Sequence, residues 1–341
     1  MTSFNDLFGQ TRPIKILQSI LRTGNVPNAL LLVGEEGIGK RSSAMLFAKA
    51  LLCPSPSEIE TIINPCNRCL SCQKMQNGNH PDFLIIAPIK DEHTIKIDGI
   101  RAMQETVHFA PIDGTRKIII ISPAEALTTQ AQNGLLKTLE DAPPYAVLIL
   151  IAKKSGLLLP TLLSRCQQVP FSPLSLSQIE AILMDQKKWT IGDARLVAAF
   201  TGGKLGEALS IEIEEAREKE ALLNDLVKEE TLSHYDTLFE LAKSHASDLE
   251  MMERALYYLS AYFRDILVIR MTRENPDSAL LVFSWRKEEL ARWANRMNAE
   301  EVTKFLANIA GIEQTLSRNI NKQLALETLL MQMRDKLGTT V

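Results

Sequence analysis

The stretch LLLVGEEGIGKRSS, residues 30–43, sets Gly34, Gly37, Gly39 and Lys40 between an apolar run and a helix-forming run. Glycines at this spacing let successive backbone N–H groups turn toward one anion, and the start of a helix adds its partial positive charge. A lysine closing the turn would reach the terminal phosphates of a nucleotide. Magnesium-dependent hydrolysis needs two further groups, a hydroxyl just after the lysine and a carboxylate at the end of a later strand. Here Arg41 follows Lys40. Ser42 lies one position further on, about 100° round a helix. The run KIIIIS ends in Ser122, Pro123 and Ala124, and Glu125 falls beyond the expected strand end. Both magnesium-holding positions are therefore altered, and hydrolysis is expected to be lost. Weak nucleotide binding and survival only as a tight strand–helix turn both stay open on these residues.

Cys53, Cys66, Cys69 and Cys72 form a second constellation. Two adjacent C-x-x-C steps suit four thiolates around one metal, and a closed four-sulfur shell points to a structural zinc rather than a catalytic one. A redox C-x-x-C is the lesser alternative. His80 reads as a capping or surface residue, since four sulfurs already complete the shell. Cys166 reads as a small apolar residue.

Apolar runs at ALLLVG (29–34), DFLIIAP (82–88), KIIIIS (117–122) and YAVLILIA (145–152) lack period-2 alternation, as strands covered on both faces do. QQVPF (167–171) offers a further strand. Helical stretches KRSSAMLFAKALL, IDGIRAMQETVHFA and TTQAQNGLLKTLED lie between them. Right-handed crossovers then give a parallel, three-layer α/β domain over 1–171, with the cysteine insert at 53–72. Residues 172–209 read as short helices stopped by Gly202 and Gly203, and residues 210–341 as long helices. SDLE (247–250) has the pattern of a capping box. Val302, Phe305, Leu306, Ile309, Ile312 and Leu316 repeat at helical spacing and read as core. Trp189, Trp285 and Trp293 read as packing or interface anchors.

The 341 residues are 45% apolar and 23% charged, with a formal charge of −3. That composition is globular and gives no bulk attraction to nucleic acid. The start MTSFNDLFGQ lacks a basic stretch leading into an apolar core, and no apolar run approaches the roughly 20 residues that span a bilayer. A cytoplasmic location, with no membrane partner, is expected.

FNDLFGQ, GEEGIGK, the four-cysteine insert, NGLLKTLEDAPP, LLSRC and RNINKQLALETLL occur in that order. The series resembles the clamp-loader subunits of bacterial DNA polymerase III, which are AAA+ proteins. It is most similar to the branch whose own ATP site is degenerate. Arg41, Ser122 and Pro123 agree with that branch, as does Glu207, which stands where active subunits carry a sensor arginine in the segment GGKLGEA. The resemblance implies an AAA+ domain, a helical lid (172–209) and a helical collar (210–341). It implies that Arg165, in SRC (164–166), enters a neighbouring subunit's ATP site as an arginine finger. The expected partners are gamma/tau-like ATPase subunits and a delta-like subunit, with the sliding clamp and primed DNA reached through the complex. Arg101 is a candidate phosphate contact and equally a helix-surface arginine. Two rival readings are an active ATPase of this family with relocated metal ligands, Ser42 and Glu125, and a stand-alone zinc-dependent nucleic-acid binder.

Overall fold

The structure, a computed structural model, describes residues 3–59, 61–89, 92–272, 280–316 and 320–337. The chain divides into two compact units, Met1–Gln178 with Gly203–Glu207, and Ile179–Gly202 with Ala208–Val341.

The first unit is built on strands β1 (Ala29–Val33), β2 (Ser57–Ile59), β3 (Ile62–Asn64), β4 (Phe83–Ile86), β5 (Lys117–Ile121), β6 (Ala146–Ala152) and β7 (Gln167–Pro170). Five of them form one parallel sheet in the order β4-β5-β6-β1-β7. Every residue of β5 and β6 is buried, which is why their apolar runs show no alternation. Within β1 the strand pleat sends Leu30 and Leu32 into one core and Ala29 and Leu31 into the other. Lys117, in β5, is buried because its ammonium group donates to the carbonyls of Thr106 and Phe109, each at 2.8 Å.

Helices α1 (Thr11–Thr23), α2 (Lys40–Leu52), α3 (Leu70–Gln76), α4 (Ile97–Val107), α5 (Thr129–Glu140) and α6 (Pro160–Leu163) surround the sheet. The strands and the three helices between them match the sequence expectation to within a few residues. The insert adds an element outside that expectation: its first half contains the antiparallel pair β2–β3. Asn64 at the end of that pair accepts hydrogen bonds from Phe4 N (2.7 Å) and Ser3 Oγ (2.9 Å), fixing the start of the chain.

Among its described residues the second unit holds helices and no strand. They include α7 (Leu176–Gln186), α8 (Ile191–Thr201), α9 (Leu205–Ser210), α10 (Ile213–Val227), α11 (Glu229–Ser233) and α12 (Tyr235–Ala246), with α7 and α9 straddling the division between units. Next come α13 (Leu249–Met271), α14 (Lys287–Arg296), α15 (Ala299–Thr315) and α16 (Lys322–Arg334). Phe263 of α13 packs its ring 4.1 Å from that of Phe305 and 6.0 Å from that of Trp293. Val302, Phe305, Ile309 and Leu316 are buried as expected, while Leu306 and Ile312 are partly covered. SDLE is not a capping box. Ser247 keeps helical angles at the end of α12, so Asp248 takes the N-cap position and accepts from Glu250 N at 3.3 Å. Arg318 and Asn319, which begin the motif RNINKQLALETLL, lie outside the described residues. Among the described residues no helix is long and apolar enough to cross a membrane.

Candidate functional site

Gly34 sits where β1 ends, with a φ of +149°, and a Cβ there would lie 2.5 Å from the Phe171 carbonyl oxygen. Only glycine lets the chain turn this close to neighbouring backbone. The turn therefore opens at the carboxyl end of the sheet, where ligands bind in open α/β folds. Gly39 (φ +94°) is the N-cap of α2, and Lys40 is its first residue. Lys40 is buried and turns back on its own loop, donating to Gly34 O and, at 2.5 Å, to Glu35 O. Burial lowers its pKa, against the opposing pull of Glu125, Glu36 and Glu35. At the tip of the loop, Gly206 N donates to Gly37 O at 2.8 Å. Lys204 lies beside Gly37, and Glu207 pairs with Lys204 at 4.0 Å.

Arg41 is exposed. With Ser42 it lines a cleft shared with Met45, Lys49, Met75 and Gln76, so Ser42 borders the groove between α2 and α3. Glu125 is closer to the loop than the sequence suggested. A single 3-10 turn, Ala124–Ala126, follows β5 and folds the carboxylate back, so that Oε1 accepts from Lys153 N at 3.1 Å. Oε2 is shielded from solvent and has no hydrogen-bond partner among the described residues.

Arg165 lies at the other end of the sheet. Gln167, two residues later, pairs with Leu30 near the start of β1, whereas Lys40 follows the end of β1. The structure therefore does not bring Arg165 to this chain's own lysine. Arg165 Nε donates to Glu140 Oε1 at 2.8 Å, and Nη1 donates to Thr161 O at 2.9 Å. Neighbouring Cys166 packs against the core, and burial pushes its thiol up to about 11.

The four sulfurs of Cys53, Cys66, Cys69 and Cys72 lie within 4.8 Å of one another, with Cys53 and Cys69 4.0 Å apart. Metal–sulfur bonds of about 2.3 Å would set tetrahedral edges near 3.8 Å, so the donor set fits one ion. Three backbone N–H groups point at the cluster: those of Cys66, Cys69 and Cys72 donate to the sulfurs of Cys53, Cys66 and Cys69, each at 3.4 Å. The Cys66 thiol is brought down to about 6, by the N–H groups of Arg68 and then Cys69. Burial pushes those of Cys53 and Cys72 up.

His80 is buried, not at the surface. Its Nδ1 accepts from Asp82 N at 3.1 Å, which leaves the ring proton on Nε2 to donate to Ser71 Oγ at 2.9 Å. Ser71 Oγ in turn donates to Leu52 O at 2.8 Å, so the ring ties α3 to the start of β4. Arg101 is exposed at the start of α4, 3.4 Å from Asp98. Of the three tryptophans, Trp293 is buried. Trp285 donates to Glu220 at 2.9 Å, and Trp189 lies under the ammonium of Lys187.

A parallel sheet in this order, with a glycine turn and lysine after its inner strand β1, is the arrangement of a phosphate-loop α/β domain. Residues 9–175 match the family described as DNA polymerase III, delta subunit. The chain is 28% identical over 330 residues to DNA polymerase III subunit delta' of Bacillus subtilis, covering 96% of both proteins. It is 34% identical over 205 residues to subunit delta' of Pseudomonas aeruginosa, covering 59% of this chain and 60% of that one. With subunit tau of Bacillus subtilis it shares 32% over 213 residues, 61% of this chain and 37% of the other. By these likenesses the chain is similar to the delta' and tau subunits of DNA polymerase III, and to the Bacillus subtilis delta' subunit over nearly its whole length.

The cluster gives a direct chemical expectation for metal-free protein. At pH 7, above the Cys66 value of about 6, Cys66 is largely thiolate, while Cys72 is held as the thiol. Timed alkylation with iodoacetamide, read by mass spectrometry, labels Cys66 first and Cys72 last. Labelling of Cys72 ahead of Cys66 contradicts this electrostatic picture.

Proposed function

We propose that this delta-prime-like chain is a non-hydrolysing subunit of the DNA polymerase III clamp loader, lending Arg165 as a finger to an adjacent subunit's ATP site. Its partners are gamma/tau-like ATPase subunits and a delta-like subunit in a hetero-oligomeric ring. The ring loads the sliding clamp onto primed DNA during replication, in the cytoplasm. Catalysis belongs to the assembly and not to the isolated chain. Residues 1–171 form the nucleotide-binding-like domain, 172–209 the lid and 210–341 the collar that holds the ring. Cys53, Cys66, Cys69 and Cys72 hold a structural zinc, which stabilises the insert when bound.

One observation carries this reading. The lysine of the loop is turned onto its own carbonyls and followed by Arg41, while the planar cation of Arg165 stands half-exposed beyond the opposite end of the sheet. A permanently charged fork placed away from its own loop suits phosphate held by another chain.

An active ATPase with ligands Ser42 and Glu125 is the second reading. The unpartnered Oε2 of Glu125 favours it. Ser42, which borders the cleft toward α3, opposes it.

In the complex reconstituted with its ATPase partners, Arg165→Ala lowers hydrolysis at the adjoining site by about 10³-fold or more, while Lys40→Ala leaves total hydrolysis nearly unchanged. The reverse pattern makes this chain the hydrolysing subunit. Elemental analysis of the purified chain finds about one zinc per molecule, lost in Cys72→Ser. Full-length protein free of zinc, folded and with its thiols reduced, contradicts the metal reading.

A further inference from the structure

Glu140 is the last residue of α5, where the helix dipole disfavours a carboxylate. It is held there by Arg165. Both Nε and Nη2 of that guanidinium meet the same oxygen, Glu140 Oε1, at 2.8 and 2.5 Å. Nη1 is also engaged, with Thr161 O at 2.9 Å and Ser164 Oγ at 3.3 Å. In this arrangement no edge of the fork offers two adjacent N–H groups. Bidentate recognition of a phosphoryl group uses such an edge.

We propose that Glu140 is a latch for Arg165: its carboxylate holds the Nε–Nη2 edge until the phosphates of a neighbouring subunit's nucleotide displace it. The proposal rests on the reading of Arg165 as a finger acting in trans, and makes Glu140 a positioning residue for it.

The strength of the contact suits that role. The Arg165 side chain is 37% exposed and that of Glu140 51%. An ion pair this open is weak and screened by salt. A triphosphate carries more charge and two oxygens at the right spacing, so it wins the guanidinium when it arrives. Once the arginine leaves, Glu140 remains at the negative end of its helix without its cation, which favours return after the phosphate departs. The latch thus lowers the fraction of arginine ready to bind, and its removal raises that fraction.

The test uses the reconstituted complex and reads kcat/KM for ATP at two salt concentrations. Glu140→Ala raises kcat/KM about three-fold at low salt. Glu140→Gln, which keeps an acceptor but not the charge, gives a smaller rise. The advantage vanishes near 0.3 M salt, where screening already loosens the wild-type pair. In an Arg165→Ala background, Glu140→Ala changes nothing. A fall or no change in Glu140→Ala overturns the latch, as does a rise that persists without Arg165. If Arg165→Ala lowers hydrolysis and Glu140→Ala does not raise it, only the latch fails. If Arg165→Ala itself has no effect, the finger reading fails.

Discussion

Lys40 gives its ammonium hydrogens to the loop that carries it. The bonds to Gly34 O and Glu35 O draw the loop closed around its own lysine, and Gly206 fastens the tip through Gly37 O. A phosphate entering this turn would have to displace both lysine contacts. It would then meet no hydroxyl after the lysine, where Arg41 stands. Burial already disfavours the charged form of Lys40, and the surrounding carboxylates of Glu125, Glu36 and Glu35 keep it compensated from within the chain. The loop keeps the shape of a phosphate site while its electrostatics are satisfied internally.

The parallel sheet gives this closed loop its meaning. Because β1 and β7 run side by side, the segment before β7 and the segment after β1 fall at opposite ends of the sheet. The glycine turn occupies one end and Arg165 the other. A single chain with this topology holds its phosphate loop and its exposed guanidinium apart. Two such chains, placed one against the next, could bring the arginine of one to the loop of another. The cysteine cluster lies in the segment between α2 and β4, stapled by its own backbone N–H···S bonds and braced by His80 and Ser71.

Much of the first unit was legible because its strands are covered on both faces, so KIIII and AVLILIA are apolar throughout and end at turn residues. The helix Lys40–Leu52 was readable to the residue. The hairpin β2–β3 was not. SEI and IIN are three-residue strands with no room for a period-2 pattern, held by Asn64 reaching Ser3 and Phe4 across the sequence. Glu125 does fall beyond the end of β5, as read, but the 3-10 turn that folds it back toward Lys153 is invisible to periodicity. Asp248 displaced Ser247 as N-cap because Ser247 keeps helical angles as the C-cap of the preceding helix. The cysteine quartet was plain from spacing alone, whereas the Glu140–Arg165 pair joins residues 25 positions apart and leaves no local signal.

Isothermal titration of the isolated chain with ATP, in the presence and absence of magnesium, addresses the closed, magnesium-incompetent loop most directly. The account predicts that magnesium brings no gain in affinity, because neither position needed to hold the ion carries a suitable oxygen. Clear magnesium-dependent tightening, abolished by Glu125→Gln, would contradict it.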